Sequence, residues 1–272
     1  MGNSISHHIA AMTVRAFAGT ANNGAEFSLL GNPCCVTAWA EATDAVPEAG
    51  EVTQCYTWPT AAGAASVSCW GPNGLPIKLC GHGLMSCGTV LSRSGVPVQT
   101  LNMNDTTAQF EHSNSISWVG LPPLEIFHCG VPDWVQELFQ QQPASAATAG
   151  QSDDYLILAW PADFPLQELA FPTHLGRHTQ RAVIATCLDT TPSGFDIHFR
   201  YFAPQYSSVE DAATGSAMRV LADYWQPQRG DSLRAWQCSP QGGELLSRRE
   251  PEITWVGGHM LCENGEGADE ES

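Results

Sequence analysis

The chain carries the same design twice, and this repetition limits what it can fold into more than any other feature. Leu79-Cys80-Gly81-His82-Gly83-Leu84-Met85-Ser86-Cys87-Gly88-Thr89-Val90-Leu91 joins a glycine-bearing polar turn to an apolar run. Val209-Glu210-Asp211-Ala212-Ala213-Thr214-Gly215-Ser216-Ala217-Met218-Arg219-Val220-Leu221-Ala222-Asp223-Tyr224-Trp225 does so again. In the later stretch Ala217, Val220, Leu221, Tyr224 and Trp225 recur at the spacing of one helical face, and Pro227 is the expected stop. In the earlier one Leu84, Cys87, Gly88 and Leu91 follow the same spacing, with Gly95 and Pro97 as the stop. Gly81 and Gly215 lie about 134 positions apart, roughly half the chain, as two copies of one folding unit would. The expectation is two similar halves with a site between them.

A helix start leaves backbone N–H groups unpaired and carries partial positive charge, so each glycine-bearing entrance is a candidate carboxylate cradle. A purely structural reading stands beside it. Asp211 then caps a helix beginning near Ala213 and His82 caps the first, each worth about 1 kcal/mol.

The 272 residues suffice for one large or two medium domains, and 43% hydrophobic against 14% charged residues describes a globular chain. The formal net charge of -17 repels nucleic-acid backbones and anionic membranes, so neither is an expected partner. Part of it lies in 263–272, read as an acidic, disordered tail. Ten cysteines lack a C-x-x-C pair or a histidine cluster at ligand spacing, so the expectation is reduced, buried thiols in a cytoplasmic protein and no metal. His174 and His178 lack a third ligand and read as a solvent-facing pair. His7 and His8 read as part of a mobile terminus, and Trp58, Trp70, Trp118, Trp160 and Trp255 as core. No secretory signal and no membrane span is expected. Met1-Gly2-Asn3-Ser4-Ile5-Ser6 matches the short N-myristoylation pattern, for which chance is the plainer explanation.

Alternation and turn signals place strands near 13–18, 34–39, 53–58, 66–70, 77–79, 99–103, 108–112 and 115–120, with a hairpin turn at Gly71-Pro72-Asn73-Gly74. Leu121-Pro122-Pro123 marks the exchange between domains 1–120 and 121–262. The second half reads as a helix over 134–142, a loop over 143–152, a helical stretch over 166–175, and strands near 155–160, 182–187, 195–202, 234–239, 244–248 and 252–257. Loops over 19–27 and 143–152 are where ligand specificity is expected. Many short strands with one strong helix per half give an α+β class.

Five motifs resemble those of the PhzF-like (phenazine-biosynthesis) family. Leu79-Cys80-Gly81-His82-Gly83 is similar to its C-G-H-A-T, and Glu210-Asp211-Ala212-Ala213-Thr214-Gly215-Ser216-Ala217 to its E-D-P-V-T-G-S-A. Arg200-Tyr201-Phe202-Ala203-Pro204 resembles R-F-F-A-P, Gly31-Asn32-Pro33 resembles G-N-P, and Ser239-Pro240-Gln241-Gly242-Gly243 resembles S-x-R-G-G. The matches keep the family's order across nearly the whole chain. The resemblance implies the diaminopimelate-epimerase-like fold, with two pseudo-symmetric domains, each a mostly antiparallel sheet or barrel wrapped around a central helix. It also implies a homodimer that works without cofactor or metal, isomerising a small carboxylated metabolite in the inter-domain cleft by proton transfer.

On that resemblance His82 and Asp211 are the catalytic pair, while Gly81, Gly215, Ser216 and Asn32 bind substrate. Related members of the fold use two cysteines as racemase acid and base. Here the entrances carry His82 and Thr214 instead, and Cys80 is expected to be packed. One position departs from the family. Its glutamate in an S-E-T-A-F-V strand corresponds to Gln54 in Thr53-Gln54-Cys55-Tyr56-Thr57-Trp58, with Glu51 as a substitute if the match slips. An amide hydrogen-bonds but does not exchange a proton near neutral pH. Two readings stay open: an isomerase, and a binding or regulatory protein on the same scaffold.

Overall fold

The computed structural model describes residues 8–19, 29–150, 154–203 and 210–264. Along the chain run β1 (His8–Ala16), β2 (Asn32–Trp39), β3 (Thr53–Ala61), β4 (Gly63–Trp70), α1 (Gly81–Arg93), β5 (Val98–Met103), β6 (Thr106–Ser113) and β7 (Ile116–Leu121). Then come β8 (Ile126–Cys129), α2 (Trp134–Phe139), β9 (Ser145–Ala149), β10 (Tyr155–Ala159), β11 (Ala182–Leu188) and β12 (Ile197–Phe202). The chain continues with α3 (Gly215–Arg229), β13 (Ser232–Gln237), β14 (Gly243–Glu250) and β15 (Ile253–Asn264). The myristoylation-like pattern over 1–6, His7, most of the expected loop over 19–27, residues 151 and 152, Pro204 and the tail from 265 onward lie outside the described residues.

The chain divides into two units that interleave in sequence. One holds Met1–Ala18, Asn32–Leu121 and Gly257–Ser272, the other Gly19–Gly31 and Pro122–Val256. In the first, strands β1 to β7 follow one another in order and β15 joins β7 to β1, closing the sheet into a ring. α1 packs against every strand from β1 to β7. It is buried from Gly83 to Leu91 without interruption, so the expected face is inside and so is the rest of its circumference. A helix enclosed this way needs small residues. A Cβ on Gly88 would lie 2.4 Å from the Phe110 ring, and Thr89 Oγ1 finds its partners in the Met85 carbonyl (2.7 Å) and Ser117 Oγ (2.6 Å).

In the second unit the sheet order runs β15, β14, β13, β12, β11, β10, β9, β8. α3 packs on β13 and β14, and Ala217, Val220, Leu221, Tyr224 and Trp225 are all buried, as their spacing predicts. A second core cluster gathers Phe139, Trp160, Leu166 and Phe202 on the strands' other side chains.

The repeat is visible in the pairing. β2 and β3 are parallel, β3 and β4 antiparallel, and α1 is the crossover between the parallel neighbours β4 and β5. β10 and β11 are parallel, β11 and β12 antiparallel, and α3 is the crossover between the parallel neighbours β12 and β13. The fold is α+β, with mixed, mostly antiparallel barrel-like sheets and one buried crossover helix per unit.

Local expectations fail where tertiary context outweighs composition. The Ala- and Ser-rich segment read as a loop over 143–152 contains β9, paired with both β8 and β10, because small side chains suit a strand whose Ala146, Ala147 and Ala149 are buried. The helical stretch over 166–175 is two single turns, Leu166–Glu168 and Leu175–Arg177, since Pro172 disfavours helical backbone at Phe171. The hairpin turn forms, with the Gly74 N–H donating to Gly71 O at 2.8 Å, but its second strand is only a bridge between Trp70 and Pro76. α2 ends at Phe139, short of residue 142. α3 runs past Pro227 to Arg229, because a proline in the last turn removes one hydrogen bond only, and Gly230 at φ 83° ends it.

Candidate functional site

The α3 entrance is assembled by hydrogen bonds from two strands and a turn. The Asp211 N–H donates to the Tyr201 carbonyl of β12 (3.2 Å). Its Oδ1 accepts from the Ala212 N–H (2.9 Å) and its Oδ2 from Thr214 Oγ1 (2.6 Å), which fixes the carboxylate's orientation. Gln237, at the end of β13, clamps the turn from behind. Its Oε1 accepts from the Thr214 N–H (2.7 Å), and its Nε2 donates to the Asp211 carbonyl (2.7 Å) and to Thr214 Oγ1 (3.2 Å). Ser239 Oγ donates to the Ala212 carbonyl (2.5 Å) and accepts from the Gly242 N–H (2.9 Å), which is what Ser239 and Gly242 of that motif do here.

One residue before Asp211, Glu210 forms a two-pronged pair with Arg200 of β12, both bonds at 2.7 Å. The side chains are only 8% and 10% exposed, so this is a desolvated pair that breaks expensively. Arg200 Nη1 also donates to the Leu166 and Leu169 carbonyls (3.2 and 2.8 Å), tying the first single-turn helix to the same turn.

The α1 entrance is built differently. Its first residue outside the helix, Cys80, has extended backbone and caps nothing with its side chain. Gly81 and half-buried His82 open the helix. A Cβ on Gly83 would lie 2.5 Å from Cys69 Sγ and 3.0 Å from both Cys55 and Cys80 Sγ, so sulfur occupies the space that a side chain would need. Cys55 and Cys69 Sγ are 3.1 Å apart on adjacent strands, and Cys80 Sγ lies 3.4 Å from His82 Nδ1. A hydrogen bond from Cys69 outweighs burial and pulls the Cys80 thiol well below its ordinary value, with His82 adding to the effect. Cys69 moves well above it through its bonds to Cys55 and Cys80, and burial pushes Cys87 up.

Neither helix places an acidic residue in its first turn, and neither is capped by a side chain of its N-cap residue, Cys80 or Thr214. α3 begins at Gly215, so Asp211 stands outside the helix and is engaged with Ala212 and Thr214 rather than capping from Ala213. His82 lies inside α1 as its second residue and is not the N-cap either. Neither residue is therefore the N-cap of its helix.

Asn32 is buried at the start of β2, Gly215 is buried and Ser216 half-buried at the start of α3. Gln54 lies on the face of β3 opposite Cys55, the face where Tyr56 packs edge-on against Trp39 and Trp70. Its Nε2 donates to the Val52 carbonyl at 3.3 Å. Glu51 is exposed. His178 packs on Trp134 at 5.6 Å, and among the described residues no group of three His, Cys, Asp or Glu is arranged to hold a metal ion.

Sequence reasoning missed Gln237, the Arg200–Glu210 pair and the thiol cluster. The pair was spelled out in the two motifs as opposite charges flanking one turn. Cys34, Cys55 and Cys69 each sit at an inward position of an alternating strand, a signal that the chain-wide scatter of cysteines conceals.

With this geometry in place, likeness to known proteins adds a second line. The phenazine biosynthesis-like protein family model (PhzC-PhzF) matches residues 133–254, which contain the whole α3 entrance. A solved PhzF-family phenazine biosynthesis protein from Enterococcus faecalis superposes with a TM-score of 0.76 at 20% identity, covering 93% of this chain and 95% of that one. Over 133–254 the chain resembles the PhzF-like family. Its fold is the diaminopimelate-epimerase-like one. A phenazine biosynthesis-like domain-containing protein of Bos taurus is 56% identical over 74 residues, a stretch that spans about a quarter of either chain (26% of each). An uncharacterized isomerase of Pseudomonas aeruginosa is 28% identical over 221 residues, 71% of this chain and 73% of that one. The chain thus has isomerase-type relatives. No described helix is long and apolar enough to cross a membrane.

Proposed function

We propose that this PhzF-like protein is a cofactor-independent isomerase that moves a proton on a small carboxylated metabolite. One observation carries the reading: two equivalent crossover helices each begin without an acidic residue, one with His82 in its first turn and the other with Asp211 just ahead of it. Helix starts of this kind favour a carboxylate, which Gly81, Gly215, Ser216 and Asn32 would receive through N–H, hydroxyl and amide donors. Asp211 and His82 supply the groups that take and return the proton. A cytoplasmic homodimer with a biosynthetic role belongs to the same proposal.

A second reading, a ligand-binding or regulatory protein, draws on Gln54. A neutral amide at the family's glutamate position, bonded to the Val52 carbonyl, has no proton to exchange. The test is a panel of cyclic amino and hydroxy acids, with binding followed by calorimetry and products by chiral chromatography. A second isomer formed from any member supports the enzyme. A ligand that binds and is recovered unchanged, with no turnover gained in Gln54→Glu, supports the binding protein.

A further inference from the structure

The α1 entrance holds nucleophilic groups that proton transfer by His82 and Asp211 does not use. Cys55, Cys69 and Cys80 come from β3, β4 and the residue before α1, and their sulfurs converge on the one point that Gly83 leaves vacant. Cys55 and Cys69 are direct cross-strand partners, and the Cys69 and Cys80 sulfurs flank the same point at 2.5 and 3.0 Å. All ten cysteines are free thiols. Of the three, Cys80 is the most exposed, at 5% against 2% for Cys69 and 0% for Cys55, and it borders half-buried His82.

We propose that this cluster is a peroxide-reactive dithiol in which Cys80 is oxidised first and Cys69 resolves it, forming a reversible Cys69–Cys80 disulfide. In the first step the Cys80 thiolate attacks hydrogen peroxide. An S–O bond forms, the O–O bond breaks, and the leaving hydroxide takes a proton to become water. In the second, Cys69 sulfur attacks the Cys80 sulfenic acid. The S–S bond forms, the S–O bond breaks, and hydroxide leaves as water with the Cys69 proton. Two thiols are oxidised and one peroxide is reduced to two waters. The division of labour follows from position: Cys80 is the least buried of the three and lies 3.4 Å from His82 Nδ1, and its thiol is shifted toward the thiolate, the form that attacks peroxide. The disulfide ties the start of α1 to β4 and removes the thiol beside His82. A dithiol reductant reverses it.

The experiment treats the full chain with hydrogen peroxide and maps peptides by mass spectrometry, so that exposed Cys129 is scored separately. The expected product links the peptides bearing Cys69 and Cys80, with the loss of two hydrogens, and dithiothreitol restores the starting mass. Cys80→Ser abolishes the link. Cys69→Ser leaves a Cys80 sulfenic acid that dimedone traps. Because wild-type mapping needs no variant, the test stands even if a substitution fails to fold. A Cys55–Cys69 bridge that forms equally in Cys80→Ser, a sulfinic acid at Cys80 of the wild type, or no reaction at Cys80 would each overturn the proposal.

Discussion

The two helix entrances hold equivalent places in a repeated fold and are made of opposite materials. The α3 entrance is a polar lattice in which Arg200, Glu210, Gln237 and Ser239 determine where Asp211 stands. The α1 entrance is packed sulfur, with Cys55, Cys69 and Cys80 filling the place of a side chain on Gly83. The difference teaches that one backbone geometry is reached either by directional bonds, which fix a charged group's aim, or by close packing, which leaves the neighbouring group chemically soft. The first suits a carboxylate that must not move. The second leaves thiols open to oxidation.

The comparison breaks hardest at the polar entrance. Arg200→Ala leaves Glu210 buried without its partner and is expected to lower stability by about 3–5 kcal/mol, read as a fall in the denaturant midpoint. Next comes Gln237→Ala, which leaves the Thr214 N–H and the Asp211 carbonyl without the partners it supplied. The expected loss is about 1–3 kcal/mol in the same measurement.

At the sulfur entrance no single hydrogen bond carries such weight. Gly83→Ala forces the three thiols apart and should cost about 1–3 kcal/mol by overpacking. Adding Cys69→Ala should recover part of that loss, whereas Cys69→Ala added to Gln237→Ala recovers none, a non-additivity read by double-mutant cycle. The smallest effect sharpens the contrast without disturbing the fold. Lowering a thiol's pKa raises its thiolate fraction at neutral pH, so Cys80 should alkylate with a rate that rises with pH and levels off below the ordinary thiol value of about 8.5. Cys87, pushed the other way by burial, should stay unlabelled over the same range. Peptide mass spectrometry after iodoacetamide treatment reads both.

How much of this was legible in the sequence depended on whether the signal was local. The helices, their buried faces and most strands follow from spacing, because α1 and α3 are long and periodic. β9 and the turns around Leu166 and Leu175 were not legible, since what decides them is a neighbour strand or a proline acting against an apolar pattern. Asp211 and His82 stood out because glycine follows each near a helix start. Gln237 did not, as nothing in Trp236-Gln237-Cys238 announces that its amide reaches back to a turn over twenty residues earlier. Most of the cysteines were legible as buried but not as a cluster, because convergence is a property of two adjacent strands and a helix start folded together.

The central claim is that Asp211 and His82 move a proton, and deuterium exchange measures this directly. In D2O with the panel of cyclic amino and hydroxy acids, the account predicts that deuterium enters a carbon-bound position of at least one member. Asp211→Asn and His82→Gln should each slow this by about a hundredfold or more. A ligand that binds but never exchanges, with no exchange gained in Gln54→Glu, would contradict the claim and leave the binding protein as the reading.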